Sequence, residues 1–268
     1  MLFRSRGANG EVYAVAADDS GSVYIGGEFS VVGDVVAKGI AKWDGSGWSA
    51  LDTGLGGAEF LAVYALAMSG TDLYVGGSFK TAGGAEAHHI ARWDGTTWRA
   101  VGSGVDGWVY ALCLAGTDLY AGGDFTRAGA VEANYVAKWD GSAWSALGSG
   151  IGGTDSPSVY ALAASGSDLY AGGWFTTAGG IEANYVAKWN GSVWSTLGSG
   201  LGAGFSASVH ALAVSGPDLY VGGQFYMAGD TFVGHIATCA GNAWSALGTG
   251  VLSMDLNTLV YALSVSGT

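Results

Sequence analysis

The residues best able to do chemistry in this chain are the ones that break a pattern. Of its 11 tryptophans, Trp43, Trp48, Trp93, Trp98, Trp139, Trp144, Trp189, Trp194 and Trp244 recur at fixed intervals, whereas Trp108 and Trp174 do not. A recurring indole is accounted for by packing between repeats, and a non-recurring one has no such duty. Trp174 stands where sister segments carry Glu28, Ser78, Asp124 and Gln224. An indole face can stack on the C–H face of a sugar or on any apolar body. Trp108 and Trp174, with Asp124, Glu132 and Glu182 close by, form the candidate ligand-binding set. Plain surface or packing positions are the competing account for both rings. One stacked ring contributes only about 0.5–1.5 kcal/mol beyond its area, so such a site would bind weakly and act through several copies.

Other polar residues point to less. Glu86, Glu132 and Glu182 recur at one repeat position and could meet Ca²⁺, but no Asp-x-Asp-x-Asp-Gly run exists. Pairing with Arg92, Lys138 and Lys188, or simple solvation, is the favoured expectation for them. Asp72, Asp118, Asp168 and Asp218 read as turn residues. His89 and His235 replace a tyrosine of the Tyr185 type, and His210 one of the Tyr160 type; His88 neighbours His89. Aromatic substitution therefore outweighs zinc ligation. Cys113 and Cys239 cannot build a disulfide framework or a metal cluster. No Ser-His-Asp set, phosphate loop or nucleotide fingerprint is present, so no catalytic residue, metal or cofactor is expected.

What must position these residues is a repeat. Val-Tyr-Ala-Leu-Ala, then Ser-Gly-x, then Asp-Leu-Tyr-x-Gly-Gly-x-Phe recurs along the chain, followed in the first four repeats by Ala-Lys-Trp-Asp-Gly-Ser-x-Trp or a close variant, whereas the fifth has Thr238-Cys239-Ala240 in place of Lys-Trp-Asp. The Gly-Gly pairs begin at Gly26, Gly76, Gly122, Gly172 and Gly222. Aromatic and β-branched segments joined by Ser-Gly-x and Asp-Gly-Ser turns are hairpins, which gives four antiparallel strands per repeat. The sequence thus predicts an all-β fold, a β-propeller of four-stranded blades within residues 1–268. The repeats run over 11–58, 62–106, 108–157, 158–207 and 208–258, with the first strand of a sixth at 259–268. Leu2-Phe3 and Gly7-Ala8-Asn9-Gly10 resemble the end of a fourth strand and its loop, so the chain is expected to be part of a larger ring.

A Gly-Gly doublet closing the second strand, with paired tryptophans across a later turn, resembles the kelch propeller repeat. The fuller wording, Leu-Tyr-x-Gly-Gly-x-Phe-Thr-x-Ala-Gly-Gly and Trp-Ser-Ala-Leu-Gly-Ser-Gly, is similar to repeats of bacterial cell-surface proteins and of Rax2-like propellers. The resemblance implies the propeller fold and an extracellular or cell-surface setting. For activity it implies little, because propellers host binding, adhesion and enzymes alike.

Composition and loop lengths complete the picture. With 10 Lys+Arg against 22 Asp+Glu, the formal charge is −12, which disfavours phosphate backbones and anionic lipid surfaces. Gly, Ser or Asp interrupts every apolar run before a membrane-spanning length of roughly 18 residues is reached. Neither nucleic-acid binding nor membrane insertion is expected, and Met-Leu-Phe-Arg-Ser-Arg lacks the apolar stretch that a signal peptide would show. The connections from strand four to the next strand one hold 11, 7, 11, 11 and 12 residues (52–62, 102–108, 148–158, 198–208 and 248–259). Strand direction alternates, so these loops share a face with the long connections between strands two and three, and tight hairpins occupy the other face. Loops with reach carry function more often than tight turns. The expectation is a non-enzymatic binding or adhesion module, with a protein or a saccharide on the long-loop face. A structural subunit docking a partner, or the rest of its own longer chain, is the first alternative. A propeller enzyme, of the kelch oxidase or glycan hydrolase kind, is the second.

Overall fold

The computed structural model describes residues 7–202, 207–251 and 258–265. Every regular element among them is a strand. Unit one holds Glu11–Ala17, Val23–Glu28, Ile40–Trp43 and Trp48–Ala50. Unit two holds Val63–Ser69, Asp72–Gly77, Ile90–Trp93 and Trp98–Ala100. In unit three the strands are Val109–Ala115, Asp118–Gly123, Val136–Trp139 and Trp144–Ala146. In unit four they are Ser158–Ser165, Asp168–Trp174, Val186–Trp189 and Trp194–Thr196. Unit five has Ser208–Ser215, Asp218–Gln224, Ile236–Ala240 and Ala243–Ala246. Each unit is one antiparallel sheet with its strands in chain order. The turns are local chemistry: Asp140 Oδ1 accepts the N–H groups of Ser142 and Ala143, both at 2.8 Å, while Gly141 takes φ 97°.

Glycine lets one sheet lie directly on the next. A Cβ on Gly26, Gly76, Gly122 or Gly172 would overlap Val63, Val109, Val159 or Val209 in the first strand of the following unit. Those four valines are 0% exposed. Val260 meets Gly222 in the same way, so residues 258–265 lie on unit five as a first strand would. At the opposite end, in the first strand of unit one, Val12 is 43% and Val15 64% exposed. Tryptophan adds a polar staple between sheets. Trp98, Trp144, Trp194 and Trp244 donate Nε1–H to the carbonyls of Leu51, Val101, Leu147 and Leu197 in the preceding unit, over 2.9, 3.2, 2.7 and 2.8 Å. The phenylalanine after each Gly-Gly pair (Phe29, Phe79, Phe125, Phe175, Phe225) is buried in every unit.

The segments expected as long loops are themselves paired. Leu55–Gly56 pairs with Thr81–Ala82, Ile151–Gly152 with Thr177–Ala178, and Leu201–Gly202 with Met227–Ala228. Val105 bridges Ala128, and Ala8 bridges Val32. A short hairpin in each unit therefore receives the tail of the unit before it, and residues 7–10 play that tail for unit one. Leu2 and Phe3 lie outside the described residues.

Candidate functional site

In the first strand of every unit the pairing register skips one residue. The steps are Val12 to Ala14, Val63 to Ala65, Val109 to Ala111, Val159 to Ala161 and Val209 to Ala211. The skipped residues are Tyr13, Tyr64, Tyr110, Tyr160 and His210. A bulge takes its extra residue out of the ladder and re-aims the side chain. Tyr261 holds the same place in the sixth segment. The rings form a continuous stack of tilted, edge-on and, for Tyr160 and His210 alone, parallel contacts, with centroids 5.5, 5.3, 5.5, 5.0 and 5.3 Å apart from Tyr13 to Tyr261. With Glu11 they line one cavity of about 650 Å³. Because these residues open their strands, the cavity lies toward the side of the inter-unit connections.

Trp108 and Asp124 join this stack. The Trp108 ring lies 6.2 Å from Tyr64 and 6.3 Å from Tyr110, and the residue is 38% exposed. Its backbone N–H donates to Asp124 Oδ1, and Tyr110 donates its hydroxyl to Asp124 Oδ2 at 3.0 Å. Gly107 permits this approach, since a side chain there would meet the Asp124 carboxylate and the Phe125 backbone. In unit one, Tyr13 donates to Glu11 at 2.6 Å and to Glu28 at 3.3 Å.

The surroundings shift the titration of four of these groups. Burial, then the charge and hydrogen bond of Asp124, push the Tyr110 phenol well above its ordinary range. The Glu11 hydrogen bond, followed by burial, does the same to Tyr13. For Tyr64 burial acts first and the charges of Glu28 and Asp124 second. His210 is pushed below 6.5 by burial, lies parallel to Tyr160 (4° between planes) and shares a 2.9 Å hydrogen bond with Ser208. The stack offers ring faces, phenol hydroxyls, the His210 imidazole and the carboxylates of Glu11, Glu28 and Asp124.

The other predicted site residues lie elsewhere. Trp174 ends the second strand of unit four and packs on Tyr185 at 5.8 Å. Glu132 and Glu182 sit on the short outer hairpins. Glu132 is 3.8 Å from Arg127, and Glu182 accepts from Asn184 at 3.2 Å. Arg92, Lys138 and Lys188 pair not with the loop glutamates but with Asp72, Asp118 and Asp168, at 3.2, 3.0 and 2.6 Å. The third and second strands are neighbours, so a base in the third reaches the hairpin aspartate, whereas the glutamate lies beyond the strand's other end. Burial raises both thiols, Cys113 and Cys239, to about 11. Among the described residues no three His, Cys, Asp or Glu side chains group as metal ligands would. No helix among them is long and apolar enough to cross a membrane.

Sequence reasoning missed the tyrosine row, because a residue present in every repeat reads as packing. The available signal was the Tyr-to-His exchange at position 210, which keeps a ring with a polar edge where a core would accept leucine.

No family model matches the chain, and no curated protein matches it. Among solved structures it is similar to the extracellular domain of a putative hybrid two-component system from B. thetaiotaomicron, with 11% identity over 97% of this chain and a TM-score of 0.48. The chain spans 36% of that protein's length. It is also similar to the computationally designed Ika8 protein, with 20% identity, a TM-score of 0.54, and coverage of 99% of this chain and 81% of that one. At 20% identity this second likeness concerns the fold alone.

Proposed function

We propose that the five sheets and the sixth first strand form the arc of a β-propeller that works as a non-enzymatic binding module, outside the cell or on its surface. The ligand, a protein segment or a saccharide, occupies the aromatic cavity on the side of the inter-unit connections. One observation carries this reading: six rings in contact from one repeat to the next line a single cavity, with the exposed Trp108 beside two of them. A glycan and peptide array with wild type, Trp108→Ala and Trp174→Ala, each checked for folding, tests it. Binding lost in Trp108→Ala is the expected result. Binding unchanged in both variants, or mapped to the hairpin face around Asp168 and Asn190, overturns the placement.

A second reading is favoured by the exposed Val12 and Val15, which present to solvent the surface that other units bury under glycine. On this reading the chain docks a partner sheet at unit one. Val15→Lys would then abolish an association seen by sedimentation while leaving array binding unchanged.

A further inference from the structure

Resting on that reading of the cavity, we infer that its ligand presents an organic cation, an ammonium group seated on the ring stack beside Trp108. The molecule carries its own template for such a site. At the hairpin end of the sheets, Lys42 Nζ lies 5.3 Å from the ring centre of Tyr24 and 3.8 Å from Asp18 Oδ2. Lys188 Nζ lies 5.9 Å from the ring centre of Tyr170 and 2.6 Å from Asp168 Oδ2. Lys138 and Arg92 stand opposite Tyr120 and Tyr74 in register and pair with Asp118 and Asp72. In four units, then, a tyrosine and a carboxylate are matched by a base of the chain itself.

The stack repeats the acceptor half of this arrangement without the base. Tyr13 has Glu11 and Glu28, and Tyr110 has Asp124. Among the described residues these three carboxylates enter no ion pair. Among the described residues neither lysine nor arginine lines the cavity. A cation is drawn to the face of an aromatic ring, most strongly to tryptophan. A phenol that donates its proton to a carboxylate carries a more electron-rich ring, which strengthens that pull. A neutral sugar would stack on the same rings and donate hydroxyls to the carboxylates, but would leave their charge unbalanced. The overall charge of −12 favours approach of a cation from solution.

The test is isothermal titration at matched ionic strength with choline, with its neutral isostere 3,3-dimethylbutan-1-ol, and with a trilysine peptide. Wild type, Trp108→Ala, Glu28→Gln and Trp174→Ala are compared, with thermal melting as a check on folding. Choline is expected to bind about ten-fold more tightly than the isostere. Trp108→Ala and Glu28→Gln should each weaken choline, and Trp174→Ala should leave it unchanged. Trilysine binding with the same variant pattern would assign the cation to a protein side chain, and choline alone to a small molecule. Equal affinity for choline and isostere, or choline binding that ignores both variants, overturns the inference. An array ligand lost in Trp108→Ala while choline fails to bind would leave the binding-module reading standing and the cation inference refuted. No ligand in either experiment removes both.

Discussion

The two ends of the sheets use the same residue types to opposite effect. At the hairpin end, tyrosine, aspartate and base close on one another within a unit, and turn aspartates consume the nearby backbone donors. At the connection end, tyrosine and carboxylate meet without a lysine or arginine among the described residues, and the half-buried rings touch from unit to unit through tilted and edge contacts. Aromatic content alone does not separate structure from site; the difference lies in where the polar edge of each ring goes. An indole N–H given to a neighbouring backbone carbonyl holds two sheets together. A phenol given to a side-chain carboxylate at a cavity wall leaves its face available.

The largest expected effect sharpens that contrast. Trp194 is 7% exposed, packs at a tilt on Trp189 at 5.5 Å and donates to the Leu147 carbonyl. Trp194→Ala should lose about 3–5 kcal/mol in urea unfolding. Tyr160→Ala, at the half-buried stack, should lose no more than about 2 kcal/mol. Equal losses would mean that the stack is as structural as the indole pairs.

Next in size is the glycine contact. Gly172→Ala would thrust a Cβ into Val209 and should destabilise by about 1–3 kcal/mol. Val209→Ala in the same chain should recover part of it, because the two changes share one contact. Simple additivity of the two losses would show that the sheets do not meet there.

How much of this was legible in the sequence depends on range. The hairpins were, because turn chemistry is written in adjacent residues such as Asp140-Gly141-Ser142. The packing tryptophans were too, because recurrence marks a contact that every repeat must make. Of the five candidate site residues, Trp108 and Asp124 come together at the stack, while Trp174, Glu132 and Glu182 lie apart from it. The bulge was not legible: it changes neither the length nor the alternation of Val-Tyr-Ala-Leu, and it appears only when the first strand is paired against a Gly-Gly segment. The pairing of Lys188 with Asp168 rather than Glu182 depended likewise on register, which linear distance does not supply.

A smaller effect is expected with pH. Burial holds His210 and His89 below the ordinary histidine value of 6.5, so the unfolded chain binds more protons than the folded one as pH falls through that value. Stability is therefore full above about 6.5 and declines as pH drops toward the folded values. The turn carboxylates Asp44 and Asp140 are lowered from 3.8 to about 2, so their contribution fades only in stronger acid. The urea midpoint should fall between about pH 7 and 5, and His210→Tyr should flatten part of that fall. A slope unchanged in this variant would place the proton uptake on other groups.

The smallest effect tests whether the hairpin end is modular. Unit five has Thr238 opposite Tyr220, in the register that sets Lys188 opposite Tyr170, and it retains Asp218 at the place of Asp168. Its acceptor pair thus matches those of units three and four, and the base is what it lacks. Thr238→Lys should restore the triad and stabilise by about 0.2–1 kcal/mol, the size of an exposed ion pair. The gain is modest because Lys188 and Asp168 keep 30% and 28% of their side-chain surface in solvent, so water screens much of the attraction. A cycle with Asp218→Asn isolates the pair, since that change should cancel the lysine's gain while costing little in the parent chain. The neighbouring Trp-to-Cys exchange at Cys239 keeps register with Trp244 but removes the tilted indole pair of the other units. Coupling of zero in that cycle would therefore mean that the tryptophan beside the base holds its stem in place, and that base and indole work as one device.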